Sequence, residues 1–312
     1  MSTAPSASLT RLQPVLAYIE HQLDAPLSLT ALAAKAALSP FHFHRVFRAV
    51  FGINVHQYVQ LLRLQRASYQ LAFRSDQSIT DIGLACGYQN SESFSRAFRQ
   101  WSGQSPTAFR TAPDWLTWHE LQQPLTTASL HRMQTIKPVA ASNKISPSHN
   151  RPAPEPKQTS VRIGDFPATR VAVLEHRGDP RRLGDSIRRF IAWRKANQLP
   201  PTKSATFNIL YDDPELVPAS EFRFDLCAAI AAPLAENADG IVEKWLPAGR
   251  CAVLRHVGSD ETLASTIHAL YHDWLPASGE QPGEFPLFLQ RVKFFPDVPA
   301  HEATVDVFLP LA

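Results

Sequence analysis

The sequence lacks the features that mark membrane, secreted and metal-binding proteins. No apolar run approaches the roughly 20 residues of a membrane helix, and the N-terminal stretch has no apolar core of the kind found in signal peptides. The three cysteines, Cys86, Cys227 and Cys251, lie far apart among apolar or small residues, which favours reduced thiols packed in a core. We therefore expect no membrane partner and a cytoplasmic location.

Signatures of catalysis are missing from the second half of the chain, which contains no Ser/His/Asp signature, phosphate loop or zinc spacing. His176 and His256 are the candidates for acid-base or metal chemistry there. Each precedes a glycine, Gly178 or Gly258, and has no further ligand at metal spacing, which favours a role in a turn. We predict no catalytic residue, no metal and no cofactor, and hence that the chain is not an enzyme.

Charge and proline divide the 312 residues into parts. The net charge of +3 hides ten basic and five acidic residues in 1–112, against 16 basic and 20 acidic in 161–312. Between these segments the apolar periodicity fades, and Pro, Ser and Thr become frequent. We predict a multidomain protein, with an all-α domain over 1–112, a Pro/Ser/Thr-rich linker over 113–160 and an α+β domain over 161–312.

The first domain contains one apolar pattern twice. In PFHFHRVFRAVF, residues 40–51, apolar side chains recur at helical spacing, and SESFSRAFRQW, residues 91–101, repeats the pattern 51 residues later. A short helix rich in small residues precedes each copy, over 29–37 and 79–85, and small residues allow the close crossing of a helix-turn-helix. The short helices are offset by 50, which predicts one extra residue in the second turn. We predict two helix-turn-helix units.

The polar faces of the two longer helices indicate what they contact. Ser39 and Asn90 are the expected N-caps. In a major groove Arg45 and Arg96 can bond guanine, and Glu92 can accept from cytosine. The alternative is that these side chains are only the solvent-exposed polar surface of a helical bundle, but the duplication of the pattern argues against it. The candidate DNA-binding residues, for bases or phosphates, are Phe41, His42, His44, Arg45, Arg48, Ser91, Glu92, Ser95, Arg96, Arg99 and Arg110.

Because the chain contains two helices that could read bases, we predict that it contacts double-stranded DNA at two places. The periodic stretch 55–73 joins the two units, so the helices could enter successive major grooves about 34 Å apart. A shorter separation would require the DNA to bend. A dimer is not needed for either arrangement.

Residues 10–112 resemble the AraC/XylS transcription regulators. The resemblance rests on the motifs LSLTALA, LSPFHFHRVFRAVFG and ITDIGLACGYQNSESFSRAFRQWSGQSPTAFR. It implies a sequence-specific regulator of promoters that contacts RNA polymerase. Matched residue by residue, the base-facing positions of the family fall on Phe41, His44, Arg45, Ser91, Glu92, Ser95 and Arg96.

The second domain also contains a repeat. The motif RVAVLEHRG, residues 170–178, is repeated as RCAVLRHVG, residues 250–258. Alignment of the later strands of the two halves matches Asp225 with Asp306. Each half reads strand, helix, strand, strand, which predicts one antiparallel sheet with two helices on one face, in pseudo-twofold halves. Ligand sites favour the cleft between such halves, although a single aromatic is more often core. The candidate effector-pocket residues are Trp193, Phe207, Tyr211, Trp245, Tyr271, Trp274, Phe288 and Arg291.

Residues 161–311 resemble the GyrI-like, or gyrase-inhibitor-like, small-molecule-binding domains that follow an AraC-type domain in Rob-like regulators. The motifs include FPATRVAVLEHRG, FRFDLCAAI and WLPAGRCAVLRHVG. The resemblance implies a pocket for bulky, aromatic, cationic compounds with a glutamate in a Phe-Glu-x-Tyr strand motif. Here Leu289 stands in place of the glutamate and Arg291 in place of the tyrosine, which favours a neutral or anionic effector.

Three classes of function follow. In the leading one, the protein is a transcription regulator, by default an activator, whose basic domain binds promoter DNA and whose acidic domain senses a small molecule. In the second, the acidic domain is a hydrolase of drug-like electrophiles, with Glu175, Asp225 or Asp273 replacing the missing acid. In the third, it is a protein-interaction module. The effector, the promoters, activation against repression and the oligomeric state stay open.

Overall fold

The computed structural model describes residues 7–134 and 161–312, with side chains described for 11–125 and 161–312. We call 7–134 the helical region and 161–312 the sheet region. Within these residues no helix is long and apolar enough to cross a bilayer. Cys86, Cys227 and Cys251 are free and buried, as predicted.

The helical region is a chain of short helices around one long helix. Its elements are α1 (Ala7–His21), α2 (Leu29–Lys35), α3 (Pro40–Phe51), α4 (Val55–Phe73), α5 (Ile79–Ala85), α6 (Ser91–Ser102), α7 (Pro106–Thr111) and α8 (Trp115–Gln134). The segments α2–α3 and α5–α6 are those predicted as helix-turn-helix units. Four residues join α2 to α3 and five join α5 to α6, so the second turn contains the extra residue that the repeat offsets predict.

Capping residues set the beginnings of α3 and α6. The side chain of Ser39 accepts a hydrogen bond from the backbone N–H of His42, and that of Asn90 accepts one from Ser93. Both helices end at a glycine in the left-handed conformation, Gly52 and Gly103, where a residue with a side chain would be strained. These local signals confirm the predicted N-caps.

Helix α4 belongs to two hydrophobic cores. Its first half contributes Val55, Tyr58 and Val59 to a core shared with α1, α2 and α3. Its second half contributes Leu64 and Leu71, among others, to a core shared with α5, α6, α7 and the start of α8. One rigid helix therefore holds both helix pairs at a fixed separation.

Helix α8 corrects one part of the predicted organisation. The expected linker over 113–160 contains this helix from Trp115 to Gln134. Trp115 and Trp118 are buried in the second helical core, and Leu125 is buried in the first. Residues 115–134 are therefore a helix, which packs through Trp115, Trp118 and Leu125 on the rest of the helical region, whereas 135–160 lie outside the described residues.

The sheet region contains one curled antiparallel sheet. Its elements are β1 (Arg162–Phe166), β2 (Thr169–Arg177), α9 (Leu183–Ala196), β3 (Thr206–Leu210), β4 (Arg223–Ala229), β5 (Ile241–Leu246), β6 (Gly249–Val257), α10 (Asp260–Ala269), α11 (Leu275–Ser278), β7 (Phe288–Lys293) and β8 (Thr304–Pro310). From the central pair β3–β7 outward, the strand order is β4, β2, β5 on one side and β8, β6, β1 on the other. The edge strands β1 and β5 were not predicted.

Both long helices of the sheet region pack on the same face of the sheet. Phe190 and Trp193 of α9 pack on Leu174 and Leu226, and Leu263 of α10 packs in a cluster with β6 and β8. The opposite face curls around a separate cluster of aliphatic and aromatic side chains from β1 to β8. A groove therefore runs between α9 and α10, above the central strands β3 and β7.

His176 and His256 connect these helices to the sheet. The His176 ring is hydrogen-bonded to Ser186 Oγ (2.9 Å) and to the Asp179 carbonyl (3.3 Å). The His256 ring is hydrogen-bonded to Thr266 Oγ1 (2.8 Å) and to the Ser259 carbonyl (3.1 Å). Each ring thus joins the end of a strand to the turn and helix that follow.

The crossing of α5 and α6 depends on Gly83, which generates a first prediction. A Cβ atom at Gly83 would lie 2.9 Å from the ring of the fully buried Phe94. Gly83→Ala should therefore destabilise the helical region by about 1–3 kcal/mol, although alanine is the better helix former. The measurement is the urea midpoint of the helical circular-dichroism signal. Leu84→Ala, which removes an exposed side chain of the same helix, serves as control, and equal midpoints for the two variants would contradict the prediction.

The two buried histidines generate a second prediction. Burial lowers the pKa of both imidazoles below the value in the unfolded chain. Their contribution to stability is therefore complete above about pH 6.5 and is lost as the pH falls toward the folded pKa, by at most about 1.4 kcal/mol per pH unit for each histidine. His176→Gln/His256→Gln should flatten the fall in unfolding free energy between pH 7.5 and 5.5.

The same double variant at pH 8 is the control for this experiment. There both rings are neutral, so any difference from the wild type reports the lost hydrogen bonds alone. An unchanged pH slope in the variant would show that the two imidazoles do not carry the effect.

Candidate nucleic-acid interface and effector cavity

Helix α3 presents a basic and aromatic face to solvent, while Phe43, Phe47 and Phe51 anchor it in the first core. Phe41 is 63% exposed, and the Arg45 guanidinium lies 4.6 Å from the centre of its ring. This cation–π contact at an exposed site is worth about 0.5–1 kcal/mol, so it orients Arg45 loosely. His42 and Arg48 are also exposed, and His44 is half-buried.

Helix α6 presents the equivalent face in the second pair. Glu92 and Arg96 form an exposed ion pair one turn apart, with 3.2 Å between Oε1 and Nη2. Such a pair is worth about 0–1 kcal/mol, so either side chain can leave it for a base. Arg99 is exposed, and Ser91 and Ser95 are half-buried. The structure thus places the predicted residues of α3 and α6 on the faces turned away from the cores.

Arg110 differs from the other candidate DNA-binding residues. It lies on α7 and is half-buried, and its Nη2 donates to the Gln77 carbonyl at 2.8 Å. Its own backbone carbonyl accepts from Arg188 of the sheet region at 3.1 Å. Arg110 therefore braces the helical region in this arrangement, and a phosphate contact by it stays a prediction.

An aromatic-lined space lies between the helical region and the sheet region. This cavity, which we call the junction cavity, has a volume of about 670 Å³, within the range of small-molecule pockets. Its roof is formed by Tyr69 and Phe73 of α4 and by Trp115 and Trp118 of α8. Its other walls come from α9, from the central strands and from the segment after β7.

Polar groups at the floor of the junction cavity are paired. Arg291 Nε donates to Asn208 Oδ1 at 2.8 Å, and Arg291 Nη1 donates to both oxygens of Asp260 at 2.9 and 3.0 Å. Burial by itself raises the pKa of the Asp260 carboxyl, but the adjacent guanidinium outweighs burial and holds that pKa below its ordinary value. Asp260 is therefore ionised at neutral pH, and the pair is neutral overall.

Arg194 is a buried cationic group of the cavity, and it has no acidic partner among the described residues. Its Nε donates to the Leu199 carbonyl (2.8 Å), its Nη1 to Thr206 Oγ1 (2.5 Å) and its Nη2 to the Ser204 carbonyl (2.7 Å). Burial lowers its pKa to about 10, so it is still charged at neutral pH. Its positive charge is therefore held by neutral oxygens.

The structure does not bring the predicted effector-pocket residues together. Arg291 lines the junction cavity, but Phe207 and Phe288 lie in the cluster on the opposite face of the sheet. Trp193 packs beneath α9 and Trp274 packs beside α10. Trp245 and Tyr271 are exposed. The aromatic walls of the cavity come instead from residues that sequence reasoning did not select.

Tyr211 lies in a third place, a charge cluster around the buried Asp225 on the opposite face of the sheet. Its hydroxyl donates to Asp225 Oδ2 at 2.9 Å, and Asp225 is fully buried. Lys244 Nζ lies 2.7 Å and Arg177 Nη1 3.0 Å from the same carboxylate. Glu175 also pairs with Lys244 and Arg177. Both acids are therefore engaged in ion pairs, on the face of the sheet away from the junction cavity.

Two family models match the chain. The model described as "Helix-turn-helix domain" matches residues 32–112, and the model described as "GyrI-like small molecule binding domain" matches residues 159–312. The first therefore contains α3 and α6, and the second contains the whole sheet region.

Curated relatives match parts of the chain. The protein "Probable transcriptional regulator YgiV" of Escherichia coli (strain K12) is 38% identical over 153 residues, which is 49% of this chain and 96% of the relative. The "Right origin-binding protein" of the same strain is 34% identical over 104 residues, 33% of this chain and 36% of the relative. Among solved structures, a transcriptional regulator of the AraC type from Chromobacterium violaceum is 28% identical, with 35% of this chain and 96% of that chain covered and a TM-score of 0.32.

Proposed function

Because the chain belongs to the AraC-type transcriptional regulators that carry a GyrI-like small-molecule-binding domain, we propose that α3 and α6 read the bases of its promoter DNA. The observation that carries the proposal is the pair of exposed polar faces, each held by a capped, core-anchored helix. Arg45 and Arg96 are the direct readers of guanine, and Glu92 is the acceptor for cytosine. Arg48 and Arg99 contact phosphates and set the register.

We propose further that the two helices enter successive major grooves of one duplex. The joining helix α4 has 19 residues, so it is about 28 Å long. Successive major grooves on one face of straight DNA lie about 34 Å apart. The difference supports a bent duplex, whose bending energy would contribute to the choice of site.

The sheet region is proposed to control DNA binding through a small molecule. An effector shifts the balance between two arrangements only by as much as its affinity for them differs. The acidic sheet region carries no net attraction for DNA, which supports a sensing role over a second DNA-binding role. RNA polymerase is the proposed protein partner, on the resemblance of the helical region alone.

The domain plan and its duplication belong to the same proposal. The family models support limits near 112 and 159, with α8 as a helix between the two domains. The outward strand order from β3–β7 supports two pseudo-twofold halves in the sheet region. The equal lengths of α3 and α6, 12 residues each, support two helix-turn-helix units.

A hydrolase is the weaker alternative. Leu289 occupies the acid position and is buried. Glu175 and Asp225 are held in ion pairs on the other face of the sheet, and Asp273 is exposed beside His272. No acid that was considered as a replacement lines the junction cavity, so we propose binding without turnover.

The DNA-reading proposal predicts the effect of removing single arginines. Sites are selected from a randomised DNA pool by the full chain, and affinities are measured by mobility shift at fixed salt. Arg45→Ala and Arg96→Ala should each weaken binding to the selected site by about 1–3 kcal/mol and retain most nonspecific binding. Arg162→Ala, an equal loss of charge on exposed β1, should change neither affinity. Failure to select any site, or equal effects of all three variants, would overturn the proposal.

A further inference from the structure

The junction cavity belongs to both domains. Trp115 and Phe73 stack in its roof with 5.7 Å between ring centres, and Trp118 packs edge-on against Trp115. All three side chains also form part of the core that holds α5 and α6. A molecule in the cavity would therefore touch the same aromatic cluster that supports the second reading helix.

The two domains are closely docked around this cavity. A Cβ atom at Gly184 of α9 would lie 2.3 Å from the Trp115 ring, so the present approach of α9 to α8 is possible only with glycine there. Arg188 Nη2 donates to the carbonyls of Arg110 and Thr111 at the end of α7, at 3.1 and 2.9 Å. Arg74 of α4 is paired with Asp297 after β7.

Charge in the cavity favours one class of ligand. The pairs Arg291–Asp260 and Arg74–Asp297 are neutral, and at the rim the exposed Lys195 and Asp76 have opposite charges. Arg194 is left as the uncompensated interior charge. Burial lowers the pKa of His119, so this ring adds no positive charge at neutral pH. A cationic ligand would be repelled by Arg194, whereas an anion would supply its missing countercharge.

We propose that the effector is a flat aromatic carboxylate that binds in the junction cavity, with its ring against aromatic side chains of both domains and its carboxylate on the Arg194 side. The inference rests on the proposed control by a small molecule. Since the roof is part of the DNA-reading domain, the ligand binds the docked arrangement more tightly than an undocked one. The free energy by which the ligand favours the docked arrangement also changes the affinity for DNA, because coupling between two sites is reciprocal.

The test uses the full chain and two probes of equal shape and opposite charge. Binding of 2-naphthoate and of 2-naphthylmethylammonium is measured by isothermal titration calorimetry. We expect the carboxylate to bind at least tenfold more tightly than the ammonium compound. Equal affinities, tighter binding of the ammonium compound or no binding of either would overturn the proposed ligand class.

A glycine variant tests the shared site. Gly184→Ala should weaken 2-naphthoate binding at least tenfold, because the added methyl group forces α9 away from Trp115. Gly249→Ala, where a Cβ would meet no atom within 4 Å, is the matched control and should bind as the wild type does. Arg188→Ala, which removes the hydrogen bonds to α7 without adding a clash, is the second variant and should also weaken binding. Wild-type binding by Gly184→Ala and Arg188→Ala would place the site within one domain and overturn the inference.

DNA affinity separates this inference from the proposed function. Saturating 2-naphthoate should change the affinity of the wild type for its selected DNA site about fivefold or more, and Gly184→Ala should lose that response while still binding DNA specifically. Specific DNA binding without any response to bound 2-naphthoate would overturn the inference and leave the DNA-reading proposal intact. Loss of specific DNA binding in the wild type would overturn the proposed function itself.

Discussion

One helix, α4, is packed into both hydrophobic cores of the helical region. Tyr58 at one end contacts Phe47 and Phe51 of α3 through its ring, while Leu64 and Leu71 nearer the other end pack with the residues that anchor α6. A continuous helix cannot lengthen or kink sharply without disrupting its backbone hydrogen bonds, although it can curve gently. The separation of the two exposed faces is therefore set by α4, whatever DNA they meet.

The same helix extends to the junction between the domains. Tyr69 packs edge-on against Phe295 of the sheet region, with 5.0 Å between ring centres, and Ile187 and Ile191 of α9 pack on the second helical core. The proposed site for DNA and the proposed site for an effector thus share α4 and the core below α6. A shift of the sheet region would first disturb the packing of that core, because packed interiors transmit strain.

Local signals predicted the half of the structure that is proposed to face DNA. The phenylalanine spacing in α3 and α6, the caps Ser39 and Asn90 and the extra residue in the second turn all depend on residues close together in the sequence. The cavity could not be predicted in this way, because Tyr69, Trp115 and Arg291 come from three distant segments. The start of α8 was hidden by Pro113, Pro124 and a run of polar residues, although two tryptophans three residues apart were a signal of a buried helix face.

Strand alternation could have corrected the predicted pocket. Phe207 and Phe288 point to the face away from α9 and α10, whereas Asn208 and Leu289, one residue further along each strand, are paired on the helix side. Successive side chains of a strand face opposite ways, so the strand residue next to a core aromatic was the better candidate for the cleft. Alternation alone does not say which face of the sheet the helices cover, because that depends on the whole fold.

Hydroxyl-radical footprinting of the full chain on a selected DNA site tests the central role of α4 most directly. A fixed α4 predicts two protected segments on one face of the duplex, centred about one helical turn, or roughly 10 base pairs, apart, with the same spacing at every selected site. A single protected segment, or two segments whose spacing varies from site to site, would contradict the account.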